Sequence, residues 1–207
     1  RLNVDVAAFY NDYSHYIGQN ALAVGASGPV AINLNTGKVR SPGVEAQIQG
    51  HLTKNWTVNA GLTYLHTRVI DGSEYEQTTG KELPSDKILF LADWTGFVDT
   101  AYSFDVFDDK LIFDVSATYK GARNGSTSDP DSVPRLTSYT LLNGNITWRA
   151  ANWEIALWGT NLTDEKYFST YIDRSILEQA GLIGPLSSNV GIIGDGRRVG
   201  VRVGAYF

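Results

Sequence analysis

Cysteine and methionine are both absent from the 207 residues, and proline occurs only 6 times. The lack of cysteine excludes a disulfide framework and every metal site built on thiolates. No stretch approaches the roughly 18 uninterrupted apolar residues that a transmembrane helix requires. With 17 basic against 22 acidic residues and a net charge of -5, the chain also lacks a basic surface, so we expect no nucleic-acid partner.

Glycine and aromatic residues are abundant instead: 21 Gly, 11 Tyr, 8 Phe and 5 Trp. This composition is typical of strands and turns and favours an all-β fold. The C-terminal run, 198–207, alternates strictly in polarity. One of its faces carries Val199, Val201, Val203, Ala205 and Phe207, and the other carries Arg198, Gly200, Arg202, Gly204 and Tyr206. Such a strand faces an apolar medium on one side and a wet interior on the other, as in an outer-membrane β-barrel.

The same alternation recurs in eight segments along the chain. The apolar positions, predicted to face lipid, lie in 2–10, 44–52, 56–64, 88–104, 111–119, 142–148, 153–157 and 199–207. Their central parts carry no Lys, Arg, Asp or Glu, and charges of this parity fall near segment ends: Asp12, Lys38, Arg40 and Arg68. A basic residue facing lipid costs about 2–4 kcal/mol at the midplane and about 0–1 kcal/mol near the interface, so this distribution favours a membrane.

The connections between segments alternate between two lengths. Short turns lie at 53–55, 105–109 and 149–152, whereas long polar loops lie at about 18–32, 70–86, 123–136 and 169–196. Bacterial barrels have short periplasmic turns and long extracellular loops. We therefore predict a transmembrane antiparallel up-and-down β-barrel that spans the outer membrane many times, with its C-terminus in the periplasm and with membrane lipid as a partner.

Three motifs resemble the C-terminal end of TonB-dependent outer-membrane receptors. They are Ser41-Pro42-Gly43-Val44-Glu45 at the start of a strand, the stretch from Gly159 to Phe168 (GTNLTDEKYF), and the run from Gly196 to Val201 (GRRVGV) that leads to Phe207. The resemblance implies that residues 1–207 form about eight C-terminal strands of a 22-stranded barrel. It also implies a plug domain and a TonB box at the N-terminus of the family, neither of which this sequence contains.

The family resemblance also implies a function, namely import of a scarce nutrient driven by the TonB complex. Its substrates include ferric siderophores, cobalamin, other metal chelates and oligosaccharides. Our candidate ligand-binding residues are in the predicted lumen and loops: Glu45, Gln47, Asn59, Asp93, Asn143, Tyr75 and Tyr171. For each of them, a hydrated wall or an internal hydrogen-bond network is the competing interpretation.

The resemblance assigns a separate role to the last strand. In the resembled class, a terminal aromatic residue with apolar residues at alternate positions before it is recognised by the barrel-assembly machinery. The matching positions here are Val199, Val201, Val203, Ala205 and Phe207. One residue departs from the pattern, because Asn161 would face lipid by parity unless a bulge or a position above the hydrocarbon layer accommodates it.

Two other classes of protein compete with a receptor. A stand-alone eight-stranded barrel with a structural or adhesion role is the alternative, although such a barrel has an interior just wide enough for its own side chains. A hydrolase would need a nucleophile beside a histidine, and His15, His51 and His66 lie on different segments without a metal-ligand or nucleophile motif. We therefore predict no catalytic residues, no metal site and no cofactor.

Overall fold

The computed structural model describes residues 1–25, 28–126, 131, 133–174 and 189–206, and within 19–32 it describes the backbone alone. The described part contains thirteen strands and one short helix. The strands are β1 (Leu2–Gly25), β2 (Gly28–Thr53), β3 (Trp56–Leu65), β4 (Arg68–Asp71), β5 (Trp94–Val106), β6 (Asp109–Lys120), β7 (Arg123–Asn124), β8 (Arg135–Leu136), β9 (Tyr139–Arg149), β10 (Trp153–Thr160), β11 (Phe168–Ile172), β12 (Val190–Ile193) and β13 (Arg198–Ala205), and the helix is α1 (Ser73–Thr79).

Eight long strands form one antiparallel sheet in the order β1-β2-β3-β5-β6-β9-β10-β13. Each strand pairs with the next long strand of the chain, which confirms the predicted all-β, up-and-down arrangement. The strand β4 extends the sheet beside β2, while β7-β8 and β11-β12 form two small separate sheets. In the described part of the chain, β1 and β13 do not pair with each other, so the sheet is open, and closure as a 22-stranded barrel stays a prediction.

One face of this sheet is apolar and uncovered. Val199, Val201 and Val203 of β13 are 68%, 65% and 70% exposed, and Val4 and Val6 of β1 are 63% and 69% exposed. A water-soluble sheet buries such a face, because each exposed aliphatic side chain forgoes about 1.5–3 kcal/mol of transfer free energy. The uncovered apolar face is therefore suited to contact with lipid. No helix in the described residues is both long and apolar enough to cross a bilayer.

The two ends of the sheet differ in their connections. At the short-turn end, β2 meets β3, β5 meets β6, and β9 meets β10 through only a few residues each. Phe107 adopts a left-handed conformation (φ 56°) at the tip of the β5-β6 hairpin, where two residues reverse the chain. At the opposite, long-loop end, the connections carry α1 and the small sheets. The predicted alternation of short and long connections is therefore present from β2 to β13.

The loop predicted at 18–32 differs from expectation, because β1 and β2 continue through it as one long hairpin. Their backbones stay paired as far as Gly25 and Gly28. The pairing is irregular only between Tyr13 and Gln19, where bulges shift the register. The segment contains the β-branched residues Val24, Val30 and Ile32, which favour an extended backbone over an irregular loop.

The prediction that Ile88, Phe90 and Ala92 face lipid is wrong, because β5 begins only at Trp94. Ile88 is 8% exposed and packs with Val39 and Val69 in a small apolar core, the partly buried neighbours being Tyr16, Leu83 and Leu91. The segment before β5 therefore folds over the long-loop end of the β1-β2 hairpin. Alternation continues in the sequence beyond the point at which the chain leaves the sheet, and parity alone does not reveal that point.

Aromatic rings cover glycines on the polar face of the sheet. Each ring lies directly across from a glycine of the neighbouring strand, in the pairs Phe9-Gly43, Phe97-Gly61 and Trp158-Gly200. A Cβ atom on Gly61 would lie 2.5 Å from Cε1 of Phe97, and one on Gly200 would lie 2.6 Å from Cζ2 of Trp158. The glycines thus let large rings lie flat along the wall, which fills space that the small residues leave.

Candidate functional site

A depression of about 380 Å³ lies on the polar face, towards the long-loop end. The side chains that face it are mostly polar and come from five strands, β2, β3, β5, β6 and β9: Glu45, Gln47, Thr63, Thr95, Phe97, Thr118, Lys120 and Tyr139. Concave surfaces with a few polar groups are the usual location of ligand sites. We take this depression as the candidate binding site.

Strand register places five of these residues in one row across the sheet. Glu45 pairs with Thr63, Thr63 with Thr95, Thr95 with Lys120, and Lys120 with Tyr139. Alternation puts all five on the same face. A row of this kind comes from pairing alone, so residues up to 94 positions apart in sequence, from Glu45 to Tyr139, line one site.

The row is acidic at one end and basic at the other. Three strand spacings of about 4.8 Å separate the columns of Glu45 and Lys120, so the backbones of these two residues lie about 14 Å apart across the wall. The hydroxyl groups of Thr63 and Thr95 lie between them. The site offers hydrogen bonds in its centre and opposite charges at its two sides.

Three of the predicted ligand-binding residues lie in or beside this depression. Glu45 and Gln47 line it, and Nε2 of Gln47 donates a 3.4 Å hydrogen bond to Oδ1 of Asn59. Asn143 lies further along the wall, in the row that runs from Asn59 through β5 and β6 to β9. Its amide group is engaged, because Nδ2 donates to Oγ of Ser116 at 3.3 Å. Their role in binding stays a prediction.

Asp93 lies just before β5, outside the depression, and belongs to an ion-pair cluster. Arg68 donates to both carboxylate oxygens, at 3.3 and 3.1 Å, and Nζ of Lys87 is 3.5 Å from Oδ2. Burial raises the pKa of Asp93, but the hydrogen bonds and charges of Arg68 and Lys87 outweigh it and hold the pKa below its usual value. The carboxylate fastens the segment before β5 to the strands beside it.

The two predicted loop aromatics lie apart from the depression. Tyr75 of α1 is only 9% exposed, and burial raises the pKa of its hydroxyl group. Tyr171 of β11 packs edge-on against Phe168, with the ring centroids 6.0 Å apart. Both rings contribute to the packing of the loops, and the structure leaves little of Tyr75 accessible to a ligand.

Sequence analysis did not single out Arg123, which contacts Tyr139 at the edge of the depression. This residue of β7 is 2% exposed, and Nη2 donates to the carbonyl oxygens of Phe168 and Ser169 at 2.9 and 3.3 Å. Its guanidinium carbon lies 5.4 Å from the ring centroid of Tyr139, and the Tyr139 ring stacks on Tyr167 at 4.2 Å. These contacts are non-local, so no pattern in the sequence could have indicated them.

Asn161 resolves the departure from alternation that the sequence showed. The strand β10 ends at Thr160, and Asn161 turns the chain in a left-handed conformation with φ 48°. Its side chain is 4% exposed and bonds to the backbone of Glu165 and Asp195. The next residue, Leu162, then packs back over Gly144 and Gly159 on the apolar face.

The three histidines each contact a different part of the structure. Nδ1 of His15 is 2.7 Å from Oε1 of Glu74, His66 lies beside Tyr64, and His51 contacts the start of β1 at the other end of the sheet. Among the residues that the structure describes, no group of three or more histidine and carboxylate side chains is arranged to hold a metal ion.

Comparison with known families identifies the sheet. The profile of the family described as "TonB dependent receptor-like, beta-barrel" matches residues 1–162. The chain belongs to this family. Its sheet is part of a receptor barrel, so the polar face with its depression is the inner wall, and the apolar face is the surface towards the lipid of the bacterial outer membrane.

Individual receptors resemble this receptor barrel over most of its length. This chain is 27% identical over 143 residues to the ferric-pyoverdine M114 receptor PbuA of Pseudomonas sp. strain M114. The matched region covers 67% of this chain and 16% of that receptor. The match to the solved structure of the ferric yersiniabactin uptake receptor FyuA from Yersinia pestis covers 98% of this chain and 27% of the FyuA chain, with 18% identity and a TM-score of 0.71. The match to the ferric-catecholate import receptor Fiu from E. coli K12 covers 98% of this chain and 25% of the Fiu chain, with 18% identity and a TM-score of 0.68.

These similarities have different weight. At 18% identity, the solved receptors establish the fold alone. The chain spans about a quarter or less of the length of the receptors it matches. The proposed assembly residues of the receptor barrel lie on the exposed apolar edge of β13, with the exception of Phe207, which falls outside the described residues. Their role in assembly stays a prediction.

Proposed function

We propose that this chain is part of a receptor that imports a ferric siderophore across the bacterial outer membrane, driven by the TonB complex. The family match over residues 1–162 carries this proposal. The names of the similar proteins favour iron chelates over other substrates of the family, because they are receptors for ferric pyoverdine, ferric yersiniabactin and ferric catecholates. Cobalamin, other metal chelates and oligosaccharides are the alternatives.

In this proposal the long-loop end of the sheet faces outward and the C-terminus lies in the periplasm. A chelate captured by the loops meets the depression first, since the depression lies near that end of the inner wall. The polar residues further along the wall keep the interior hydrated, and energy supplied through TonB opens the path. The remaining partners are membrane lipid and the barrel-assembly machinery, which would act on the last strand.

The test is uptake of radioactive iron by the source bacterium under iron limitation. A strain that lacks the gene should lose uptake from at least one ferric chelate and keep uptake from ferric citrate supplied in excess. Loss of TonB function should abolish the same uptake. Unchanged uptake from every chelate, combined with lost uptake of cobalamin or of an oligosaccharide, would assign the barrel to that substrate.

The stand-alone eight-stranded barrel is tested separately by the intact mass of the native protein from outer membranes. A product much longer than the present chain, with a plug domain among its peptides, supports the importer. A mature protein of about the length of this chain would favour a small structural barrel.

A further inference from the structure

Arg123 is a buried cation with an incomplete set of partners. Its side chain is enclosed at 2% exposure, and only Nη2 has hydrogen-bond acceptors. Nε and Nη1 are both buried and have no hydrogen-bond partner among the residues that the structure describes. A buried N–H group without an acceptor costs about 1–3 kcal/mol, and more where the group is charged. Such a group needs an explanation beyond the packing of the loop.

Lys120 adds a second positive charge beside it. It closes the β6 strand three residues before Arg123, lines the depression and pairs across the strands with Tyr139, whose ring centroid lies 5.4 Å from the guanidinium carbon of Arg123. Across the described ranges, no carboxylate lies within ion-pair distance of either residue, whereas Lys87, Lys110 and Lys166 each have an acidic partner. Two neighbouring cations without a counter-charge make this side of the depression electropositive.

We propose that Lys120, supported by the field of Arg123 nearby, binds a negatively charged oxygen group of the transported chelate. This inference rests on the proposed function and names the chemistry of the substrate. An iron chelate with excess anionic oxygens, such as a tris-catecholate or a chelate with free carboxylates, matches the site. A neutral chelate in which three hydroxamates balance the charge of the iron does not use it.

The rest of the depression sets the orientation of the chelate. Tyr139 pairs with Lys120 across the strands, and its stack with Tyr167 forms an aromatic wall next to the ammonium group. The backbone of Glu45 lies about 14 Å away, three strands across the wall, and the Glu45 carboxylate repels anionic oxygens. The anionic part of the ligand is therefore directed to the Lys120 side, and donor groups of the ligand backbone are directed to Glu45.

The experiment measures binding of two iron chelates to the full-length receptor in outer-membrane vesicles. A ferric tris-catecholate carries three negative charges, and a ferric trihydroxamate carries none, while iron has six oxygen ligands in both. We expect the wild-type receptor to bind the anionic chelate at least tenfold more tightly. The Lys120→Gln variant should weaken that binding about tenfold and change binding of the neutral chelate less than twofold, whereas Lys120→Arg should retain the wild-type preference.

Lys110→Gln is the matched control. Lys110 lies on the same strand and, by alternation, on the same face, but it is at the short-turn end, where it pairs with Asp105. This variant should bind both chelates as the wild type does. Arg123→Gln should reduce the preference for the anionic chelate, provided that its heat-modifiable mobility shows a folded barrel. Because Lys120 is partly exposed, its replacement by Gln should not prevent folding. The Lys120→Gln variant therefore tests the proposal even if Arg123→Gln does not fold.

The outcomes separate the two proposals. If the receptor binds both chelates equally, or if Lys120→Gln weakens both by the same factor, the anionic subsite is refuted and the receptor function stands. If the wild-type receptor binds no ferric chelate, neither these two nor ferric pyoverdine, the proposed function fails, and the subsite proposal fails with it.

Discussion

The backbone N–H of Asn161 donates a 3.0 Å hydrogen bond to Oδ1 of Asn143 on the neighbouring strand. This bond fixes the point at which the chain leaves β10 and begins the long connection to β13. The side chain of Asn161 completes the arrangement through its bonds to Glu165 and Asp195, at opposite ends of that connection. One asparagine therefore holds both ends of a long loop together.

Asn161 adopts a positive φ and also makes side-chain hydrogen bonds, and two substitutions should show how much each of these contributes to the stability of the barrel. Asn161→Gly permits the positive φ but removes three side-chain hydrogen bonds, at about 0.5–1.5 kcal/mol each, so we expect a loss of about 2–4 kcal/mol. Asn161→Ala adds a left-handed strain of about 1–2 kcal/mol. Urea unfolding of the purified receptor in detergent measures both, with the turn variant Asn55→Gly as control. Equal stability of Asn161→Gly and wild type would contradict this role.

The contact between Gly61 and Phe97 yields a prediction on packing. A Cβ atom at position 61 would lie 2.5 Å from the ring, so Gly61→Val should destabilise the barrel by about 1–3 kcal/mol. Removing the ring in the double variant with Phe97→Ala should recover most of that loss. Unfolding of the four proteins of this double-mutant cycle gives the coupling energy, and a coupling near zero would show that the ring does not depend on the glycine.

The Asp93 cluster predicts a pH dependence of stability. The pKa of Asp93 is lower in the folded protein than in the unfolded chain, so its stabilising effect is fully present above the ordinary carboxyl pKa of about 3.9 and is lost as the pH falls through the folded value. Asp93→Asn should cost about 1–3 kcal/mol at pH 7, and its difference from wild type should shrink below about pH 4. Unfolding experiments over this pH range measure the difference, with Asp108→Asn in the exposed β5-β6 turn as the control variant.

Deleting Phe207 should lower the amount of receptor assembled into the outer membrane without a change in ligand affinity for the molecules that do assemble. The physical basis is the apolar ladder of β13, in which Val199, Val201 and Val203 are all more than 60% exposed on one face. Membrane fractionation with heat-modifiable mobility measures assembly, and binding of ferric pyoverdine measures the ligand site. Normal assembly of the truncated receptor would rule out a role for Phe207 as a signal.

The parts of the fold that depend on alternation were predictable from the sequence. A period of two determines which side chains face lipid, and this placed Glu45, Gln47 and Asn59 on the inner face, where the strand register then makes Gln47 and Asn59 neighbours. The start of β5 was not predictable, because Ile88 and Ala92 keep the alternating pattern while packing in a loop. Asn161 was visible as a residue of the wrong parity, but its function depends on partners 18 and 34 positions away.

The binding site was only partly predictable for a related reason. Parity placed Lys120 and Tyr139 on the inner face, but only the register puts them in one row with Glu45. The burial of Arg123 arises where β7 meets the chain around Phe168, and Tyr75 becomes buried because α1 folds back on β2. Contacts between loops come from the path of the whole chain, which local propensity does not encode.

The connections at the long-loop end are joined to one another by specific hydrogen bonds. His15 meets Glu74 at 2.7 Å, the amide of Phe90 bonds to the carbonyl of Asn124 at 2.8 Å, and the amide of Ser126 bonds to the carbonyl of Tyr171 at 3.1 Å. A chimera that exchanges the connection between β3 and β5, or the connection between β6 and β9, with that of a related receptor would disturb two of these contacts at once. Specificity should therefore transfer between receptors only when the neighbouring loops are exchanged as one block.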